Sequence, residues 1–276
     1  LNVIADDNDL GEHLARHKDV RKVTFTGSTA TGRKIMAGAA DDLKRLTLEL
    51  GGNDPAIVLD DADPAAIARE LFDGAFRNSG QVCIAIKRLY VHESIYDTVC
   101  EELAALARAA VVGDGAMAGV QFGPIQNKAQ FDKLSMLLEE AKSAGRIISG
   151  GGVVDGPGYF IRPTIVRDVR DGTRLVDEEQ FGPILPVMSY ADLDDAIERA
   201  NAGVYGLGAS VWSSNIVRAK EVALRLEAGT VWINKHMEIA PHIPSAGAKQ
   251  SGVGVEFGRE GLLDFTQIQV INSAVV

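Results

Sequence analysis

The sequence predicts an α/β protein built on a largely parallel sheet. Short runs of aliphatic and β-branched residues alternate with helical segments along the whole chain, which is the pattern of parallel strands joined by crossover helices. Glycine supplies 29 of the 276 residues, and this exceeds the average of about 7 %. Many tight turns and close backbone approaches are therefore expected, in a chain long enough for one large domain or two small ones.

The first predicted elements surround a turn at Gly27. A strand is predicted over 20–26 and a helix over 33–40, so Gly27 and Ser28 stand where a strand passes into a helix. Such a turn offers unpaired N–H groups, a hydroxyl and the positive helix end to a phosphate. The G-x-x-x-x-G spacing matches neither the dinucleotide fingerprint nor the P-loop, so an ordinary N-capped helix is the alternative interpretation.

A buried strand and a capped helix then lead to a cysteine loop. The strand is predicted over 55–59, and the next helix has Asp63 as its N-cap and Pro64 at its first position. The polar run 77–81 ends that helix. We therefore predict that Cys83 lies at a turn rather than inside a core element.

The remaining elements continue the alternation of strands and helices. The predicted strands are 87–91, 159–166, 184–190, 207–212 and 230–234, and the predicted helices are 94–109, 127–144, 192–202 and 214–226. The tail 263–271 alternates apolar and polar residues, so we interpret it as a strand that pairs across a subunit interface. Residues 1–5 are apolar and strand-like, and we interpret them as coming from the middle of a longer chain.

Charge and composition exclude several classes of partner. A net charge of −10 argues against nucleic acid and against an anionic membrane, because both favour a basic surface. No run approaches the roughly 18 apolar residues of a membrane span. The two cysteines have unlike contexts and form no disulfide framework, which predicts a reducing compartment and a cytoplasmic protein. No metal site is predicted.

Cys83 and Glu49 are the candidates for covalent chemistry on a carbonyl group. A thiolate attacks the carbonyl carbon, and a carboxylate activates the water that later releases the acyl group. A free cysteine with a pKa near ~8.5 is only a few per cent thiolate at neutral pH, so Cys83 needs local help. Cys100, by contrast, lies on an apolar helical stripe with Val99 and Leu103 and is predicted to be a buried core residue.

Glu49, Glu179 and Glu256 each have a simpler interpretation as well. Glu49 alternates with strand leucines, so a solvent-facing carboxylate is its alternative, although the glycine pair that follows permits close approach of a ligand. Glu179 precedes Phe181, and a carboxylate can hold both ribose hydroxyls while an aromatic packs on a nicotinamide ring. A solvated loop is the alternative there, and a surface acid is the alternative for Glu256.

Taken together and in this order, the motif segments strongly resemble the aldehyde dehydrogenase superfamily. The matching stretches are V-T-F-T-G-S-T from Val23, E-L-G-G-N-D-P from Glu49, G-Q-V-C ending at Cys83, E-x-F-G-P from Glu179 and K-x-S-G-x-G-x-E from Lys249 to Glu256. The resemblance covers essentially the whole chain. It implies a C-terminal fragment of a non-phosphorylating, NAD- or NADP-dependent enzyme that contains the catalytic domain.

The resemblance also implies roles for individual residues. Cys83 would be the nucleophile, Glu49 the general base and Glu256 a proton relay behind that base. The residues expected to bind the cofactor are Gly27, Ser28, Leu50, Glu179 and Phe181, with Glu179 on the ribose and Phe181 beside the nicotinamide. The oxyanion would be held by the backbone N–H of the cysteine together with an upstream asparagine.

The same resemblance implies a division into domains. A partial, Rossmann-like dinucleotide-binding domain is expected over 1–50, a catalytic domain over 51–228, a return to the cofactor domain over 229–258 and an oligomerisation strand over 259–276. The expected partners are a small aldehyde and further copies of the chain, as a dimer or tetramer. By itself the 276-residue chain is expected to bind NAD weakly and to be weakly active or inactive.

One segment departs from the family pattern. Where the family commonly has P-F-G-G, this chain has Pro244, Ser245, Ala246 and Gly247. An aromatic that walls the substrate tunnel is thus replaced by Ser245, which predicts a wider or more polar tunnel. His236, Met237 and His242 lie nearby, and we interpret such a histidine as a hydrogen-bonded loop residue rather than a substrate ligand.

Two other functions are compatible with the residues. One is a cofactor-independent cysteine hydrolase or thioesterase that uses Cys83 and Glu49. It would need neither the Gly27 turn nor the Glu179 and Phe181 pair. The other is a non-catalytic fragment that only oligomerises.

Overall fold

The computed structural model describes residues 1–7 and 9–274. The strands are β1 (Lys22–Thr26), β2 (Arg45–Glu49), β3 (Asp54–Val58), β4 (Ile86–His92), β5 (Arg146–Ser149), β6 (Thr164–Arg167), β7 (Ile184–Tyr190), β8 (Tyr205–Gly206), β9 (Gly208–Trp212), β10 (Thr230–Ile233), β11 (Ala248–Lys249) and β12 (Gly252–Val253). The helices are α1 (Leu10–Arg16), α2 (Thr29–Ala39), α3 (Pro64–Phe76), α4 (Tyr96–Ala109), α5 (Lys128–Ala144), α6 (Arg174–Asp177), α7 (Leu193–Asn201), α8 (Ile216–Ala223) and α9 (Gly258–Leu263).

A seven-stranded sheet forms the centre of the molecule, in the order β10-β9-β3-β4-β7-β6-β5. Its strands are parallel except β5, which runs antiparallel to β6. One apolar cluster packs α3 and α4 on one face, and a second packs α5, α7 and α8 on the other. The predicted α/β fold with a largely parallel sheet is therefore confirmed, and strands buried on both faces explain their near-continuous apolar sequences.

A smaller sheet carries the N-terminal part of the chain. β1 and β2 pair in parallel, and β12 returns to pair antiparallel with β2. β10, which the sequence places beyond the catalytic domain, pairs with β9 in the large sheet. The domain limits at 50, 228 and 258 stay a prediction.

Local sequence signals place several boundaries correctly. Asp63 accepts a hydrogen bond from the backbone N–H of Ala65 at 3.1 Å, and Pro64 opens α3. The side chain of Ser28 likewise accepts from the N–H of Thr31 at 3.2 Å and caps α2. These caps satisfy backbone donors that the first helical turn leaves unpaired.

Two strand predictions are wrong. The strand over 159–166 begins only at Thr164, because Gly158 has a φ of 108° and Pro163 has no N–H for a ladder. Residues 1–5 form no strand and are exposed, since no neighbouring strand pairs with them. Leu263 ends α9 rather than opening a strand. The residues after it pair with no strand in the described part of their own chain, and the pairing of this tail across a subunit interface stays a prediction.

The start of the tail after α9 is attached to the small sheet through polar groups. Lys22 pairs with Asp264, and Arg45 donates to the carbonyl of Thr266 at 2.6 Å. Ile268 and Ile271 beyond it are 90 % and 89 % exposed. Residues 275–276 of the predicted oligomerisation segment lie outside the described residues. None of the helices in the described part of the chain has the length and apolar character needed to cross a membrane.

Candidate active site

The two sheets are joined by a short segment that follows Glu49. Glu49 is the last residue of β2 and Asp54 the first of β3, so residues 50–53 cross from the small sheet to the large one. Gly52 leaves no room for a side chain because of nearby backbone, and a side chain at Gly51 would displace the carboxylate of Glu179. A Cβ on Gly51 would lie 2.5 Å from Oε2 of Glu179, and a Cβ on Gly52 would lie 2.5 Å from the carbonyl oxygen of Cys83. Three of the motifs singled out in the sequence therefore meet at this crossing.

The loop that carries Cys83 has an unusual backbone. Asn78, Ser79 and Gly80 have φ values of 53°, 56° and 69°, so α3 ends abruptly and the chain reverses before the cysteine. Gly80 packs against the carbonyl of Gly182 and leaves no room for a Cβ. Cys83 thus lies at a turn, as predicted, and that turn touches the loop that follows Phe181.

The two thiols differ as predicted. Cys100 is fully buried in the cluster beneath α4, and burial raises its pKa to about 12. Cys83 is half-buried. Burial is also the largest influence on Cys83 and raises its pKa, while the positive charge of Lys87 opposes that increase. Lys87 therefore supplies the local help that the thiolate needs, but the net direction is upward.

Glu49 is a half-buried carboxylate and not a solvent-facing one. Burial, followed by the negative charge of Glu256, raises its pKa to about 7. Its Oε1 is buried without a hydrogen-bond partner among the described residues. Its backbone carbonyl accepts from the N–H of Gly27 at 3.0 Å, which connects Glu49 directly to the predicted cofactor turn. A carboxyl group that titrates near neutral pH is suited to general acid–base work.

Glu256 lies near enough to Glu49 for its negative charge to act on that carboxylate. Gly252 of β12 is aligned with Glu49 of β2, and further along, Glu256 and Ser245 exchange two backbone hydrogen bonds of 2.8 Å each. Glu256 is half-buried, so the surface-acid interpretation does not hold. Ser245, the residue that departs from the family pattern, is thereby held beside Glu256.

The predicted cofactor turn is formed at the start of α2. Gly27 packs against the ring of Phe25, and Ser28 is the N-cap. The buried side chain of Leu50 lies against Gly32 of the same helix. The N-cap interpretation is correct for Ser28, and the exposed turn still presents the positive end of an eleven-residue helix.

Glu179 and Phe181 lie on the far side of the glycine pair. Oε1 of Glu179 accepts from the N–H of Gly52 at 3.1 Å and lies 4.0 Å from the Lys87 ammonium. Burial raises the pKa of Glu179, and Lys87 opposes this. Phe181 is half-buried with a φ of 52°, and its carbonyl accepts from the Gln130 side chain at 2.9 Å. The solvated-loop interpretation of Glu179 is therefore wrong.

Three polar residues at the site were missed by the sequence reasoning or given no role there. Lys87 is 3 % exposed and Asp54 is 1 % exposed, both within strands of the large sheet. The available signal was a charged residue inside an otherwise apolar strand run. His236 has a fully buried side chain whose Nε2 lies 2.8 Å from the carbonyl of Ile84, so the hydrogen-bonded interpretation of this histidine is confirmed.

Comparison with known proteins points to one family. Residues 1–271 match the model of the aldehyde dehydrogenase family. The chain is 42 % identical over 274 residues to aldehyde dehydrogenase LUC3 of Fusarium sp, which covers 98 % of this chain and 58 % of that protein. It is 44 % identical over 269 residues to a probable aldehyde dehydrogenase of Pseudomonas sp, covering 96 % and 54 %.

A solved structure gives the same result for the fold. The NAD+ complex of aldehyde dehydrogenase from Bacillus cereus superposes with a TM-score of 0.89 at 40 % identity, and covers 92 % of this chain and 52 % of that one. The chain thus spans little more than half the length of the relatives it matches.

Proposed function

The chain belongs to the aldehyde dehydrogenase family, and from this premise we propose that it supplies the cysteine-bearing part of an enzyme that oxidises an aldehyde to a carboxylic acid with NAD or NADP. The observation that carries the proposal is the meeting of Glu49, Cys83 and Glu179 around Gly51 and Gly52. A nucleophile, a carboxyl group titrating near neutral pH and a second carboxylate are thereby brought to one crossing between two sheets.

The residues present fit the nicotinamide end of a dinucleotide. The turn of Gly27 and Ser28 presents a helix N-terminus, and Gly27 is hydrogen-bonded to the backbone of the proposed base. Glu179 provides a carboxylate suited to ribose hydroxyls, and Phe181 an aromatic ring beside it in sequence. When bound, NAD or NADP accepts the hydride that leaves the substrate carbon.

In the proposed mechanism, the Cys83 thiolate attacks the aldehyde carbon and forms a thiohemiacetal. Loss of hydride from that carbon leaves a thioester on Cys83. Glu49, as the carboxylate, then takes a proton from water, and the hydroxide formed displaces the thiolate and releases the carboxylic acid. Burial raises the pKa of Cys83 and so disfavours its thiolate. The proposed attack therefore requires that other groups of the complete active site stabilise the thiolate.

We further propose that the protein acts as a homo-oligomer in a reducing compartment such as the cytoplasm. Cys83 and Cys100 are both free thiols, and this supports the reducing environment. The exposed apolar side chains of Ile268 and Ile271 support a further contact made by the tail. The 276 residues by themselves are proposed to bind NAD weakly, since they span about half the length of the relatives.

The proposal is tested by following the absorbance of reduced nicotinamide. The enzyme that contains this chain should reduce NAD or NADP only when an aldehyde is present, with one carboxylic acid formed for each cofactor reduced. Release of acid from an ester or thioester, with no aldehyde-dependent cofactor reduction, would instead support a cysteine hydrolase.

The pH dependence of acyl release should respond to Glu256. The active form of Glu49 is the carboxylate, so acyl release should increase as the pH rises through its pKa of about 7. The charge of Glu256 raises that pKa, and Glu256→Gln removes it. We therefore expect the acid limb of the pH–rate profile to move to lower pH. An unchanged limb, or a shift to higher pH, would contradict the assigned coupling.

A further inference from the structure

Four consecutive carbonyl groups around Cys83 are held by two buried side chains. The Lys87 ammonium donates to the carbonyl oxygens of Val82 at 3.0 Å, Cys83 at 2.7 Å and Ala85 at 3.4 Å. The carbonyl oxygen of Ile84, which Lys87 does not reach, lies 2.8 Å from Nε2 of His236. Every carbonyl from 82 to 85 therefore has a side-chain donor behind the loop.

Lys87 needs its positive charge to do this. A neutral amine has only two N–H groups, whereas three carbonyls surround this nitrogen, so all three protons of the ammonium are engaged. Burial lowers the pKa of Lys87, and the carboxylates of Asp54 and Glu179 oppose this. The carboxylate of Asp54 accepts no hydrogen bond from any described residue, and its Oδ2 lies 3.7 Å from Nε2 of His236.

Because the peptide bond is planar, fixing the direction of a carbonyl also fixes the direction of the N–H group on the opposite side of the loop. In a planar trans peptide, the N–H points opposite to the C=O. The N–H of Cys83 shares a peptide with the carbonyl of Val82, and the N–H of Ile84 shares one with the carbonyl of Cys83. By fixing both carbonyls, Lys87 fixes the directions of both N–H groups.

These two N–H groups are available to the reaction. The Ile84 N–H belongs to the peptide whose carbonyl Lys87 holds, and its influence lowers the pKa of Cys83 and so favours the thiolate. The Cys83 N–H donates to no acceptor among the residues described in the structure. An N–H that is directed but unpaired beside a nucleophile is what a developing oxyanion requires, because it needs no reorganisation when the charge forms.

We propose that Lys87 is a positioning residue that aims the Cys83 and Ile84 N–H groups at the reacting atoms by holding the carbonyls of Val82 and Cys83. His236 supports the same loop one peptide further on, where it holds the carbonyl of Ile84. The inference rests on Cys83 being the nucleophile of the proposed function. Neither side chain touches the substrate. Their effect should appear in steps that form an oxyanion, and much less in reactions of the thiolate that do not.

Two reactions of Cys83 separate these effects, and neither needs the nicotinamide cofactor. Iodoacetamide alkylates the thiolate by displacing iodide, with no oxyanion. p-Nitrophenyl acetate acylates it: the sulfur attacks the ester carbonyl, the oxygen becomes an oxyanion, and p-nitrophenolate leaves as the thioester forms. The rate constants of both reactions are measured across pH, so that each is expressed per thiolate.

Lys87→Met removes the donors while keeping an unbranched stem. We expect its acylation rate per thiolate to fall at least about tenfold, since loss of one oxyanion donor costs about 10²–10³ in rate, while its alkylation rate per thiolate stays within about twofold. His236→Leu should show a smaller loss confined to acylation. His236→Gln can place an amide N–H near the position that Nε2 occupies in the unmodified protein, so it should restore the acylation rate. His242→Leu is the control, because His242 is exposed.

Equal losses in both reactions would overturn the proposal, because they would show an effect on the thiol alone. Unchanged acylation in Lys87→Met and His236→Leu would also overturn it. If circular dichroism shows that Lys87→Met does not fold, the histidine variants decide the question. A lower acylation rate per thiolate in His236→Leu that recovers in His236→Gln supports the proposal. The same acylation rate in both variants contradicts it. If the variants lose acylation as expected but the enzyme shows no NAD-dependent aldehyde oxidation, the proposed function is contradicted and the positioning role of these residues is not.

Discussion

Glu49→Gln should reduce the cofactor once and then stall. The substitution preserves the size of the side chain but removes the carboxylate that takes a proton from water, so the thioester on Cys83 should form and then persist. Loss of a general base costs about 10²–10⁴ in rate. Stopped-flow measurement should therefore show a burst of reduced nicotinamide, close to one per site, followed by a steady state lower by that factor.

Glu198→Gln is the matched control for this experiment. Glu198 is an exposed glutamate on α7, far along the chain from the crossing between the sheets, and its substitution should leave both phases unchanged. If Glu49→Gln had the same steady-state rate as the unmodified enzyme, Glu49 would have no role in the mechanism. Loss of the burst itself would show that Glu49 acts before hydride transfer.

Cys83→Ala should abolish aldehyde oxidation. Cys100, the other thiol of the described residues, is fully buried and cannot replace Cys83, and removal of a nucleophile costs about 10⁴-fold or more in rate. The decrease is measured as kcat/KM for aldehyde-dependent cofactor reduction, with thermal unfolding as a check that the variant is folded.

Cys100→Ala separates the role of the nucleophile from that of a thiol in general. Cys100 is fully buried beneath α4, so its truncation should cost about 1 kcal/mol of stability through lost packing. Its catalytic rate should remain within about twofold. If Cys100→Ala were the inactive variant and Cys83→Ala the active one, the assignment of the nucleophile would be wrong.

Local sequence signals were sufficient for much of the fold. The Asp63 cap with Pro64 after it identified the start of α3, and the polar run after that helix indicated the turn at Cys83. Both signals depend on a few adjacent residues and on backbone groups that must be satisfied there. The glycine pair after Glu49 indicated close approach, and the structure identifies what approaches: Glu179 and the Cys83 carbonyl.

Features that depend on distant partners could not be predicted in the same way. Alternating residues in the tail predict a strand, but its expected neighbour belongs to another subunit, so this pairing stays a prediction. In the sequence Lys87 is one of two adjacent charged residues at the start of a strand, and no role was predicted for it. Its role depends on carbonyls brought to it by a left-handed turn, and on His236, which approaches from beyond β10.

The raised pKa of Glu49 also depends on tertiary structure. Its causes are burial between two sheets and the charge of Glu256, which β12 brings back to β2 from far along the chain. The motif identified the carboxylate, but its environment is a property of the folded chain. The same holds for Cys83, where burial outweighs the charge of Lys87.

The most direct test of the central claim is the mass of the covalent intermediate in Glu49→Gln. The variant is mixed with aldehyde and NAD or NADP, quenched in acid, digested and mapped by mass spectrometry. We expect the acyl group of the substrate on the peptide that contains Cys83, in an amount equal to the burst of reduced cofactor. Cofactor reduction with an unmodified Cys83 peptide, or with the acyl group on another residue, would contradict the account.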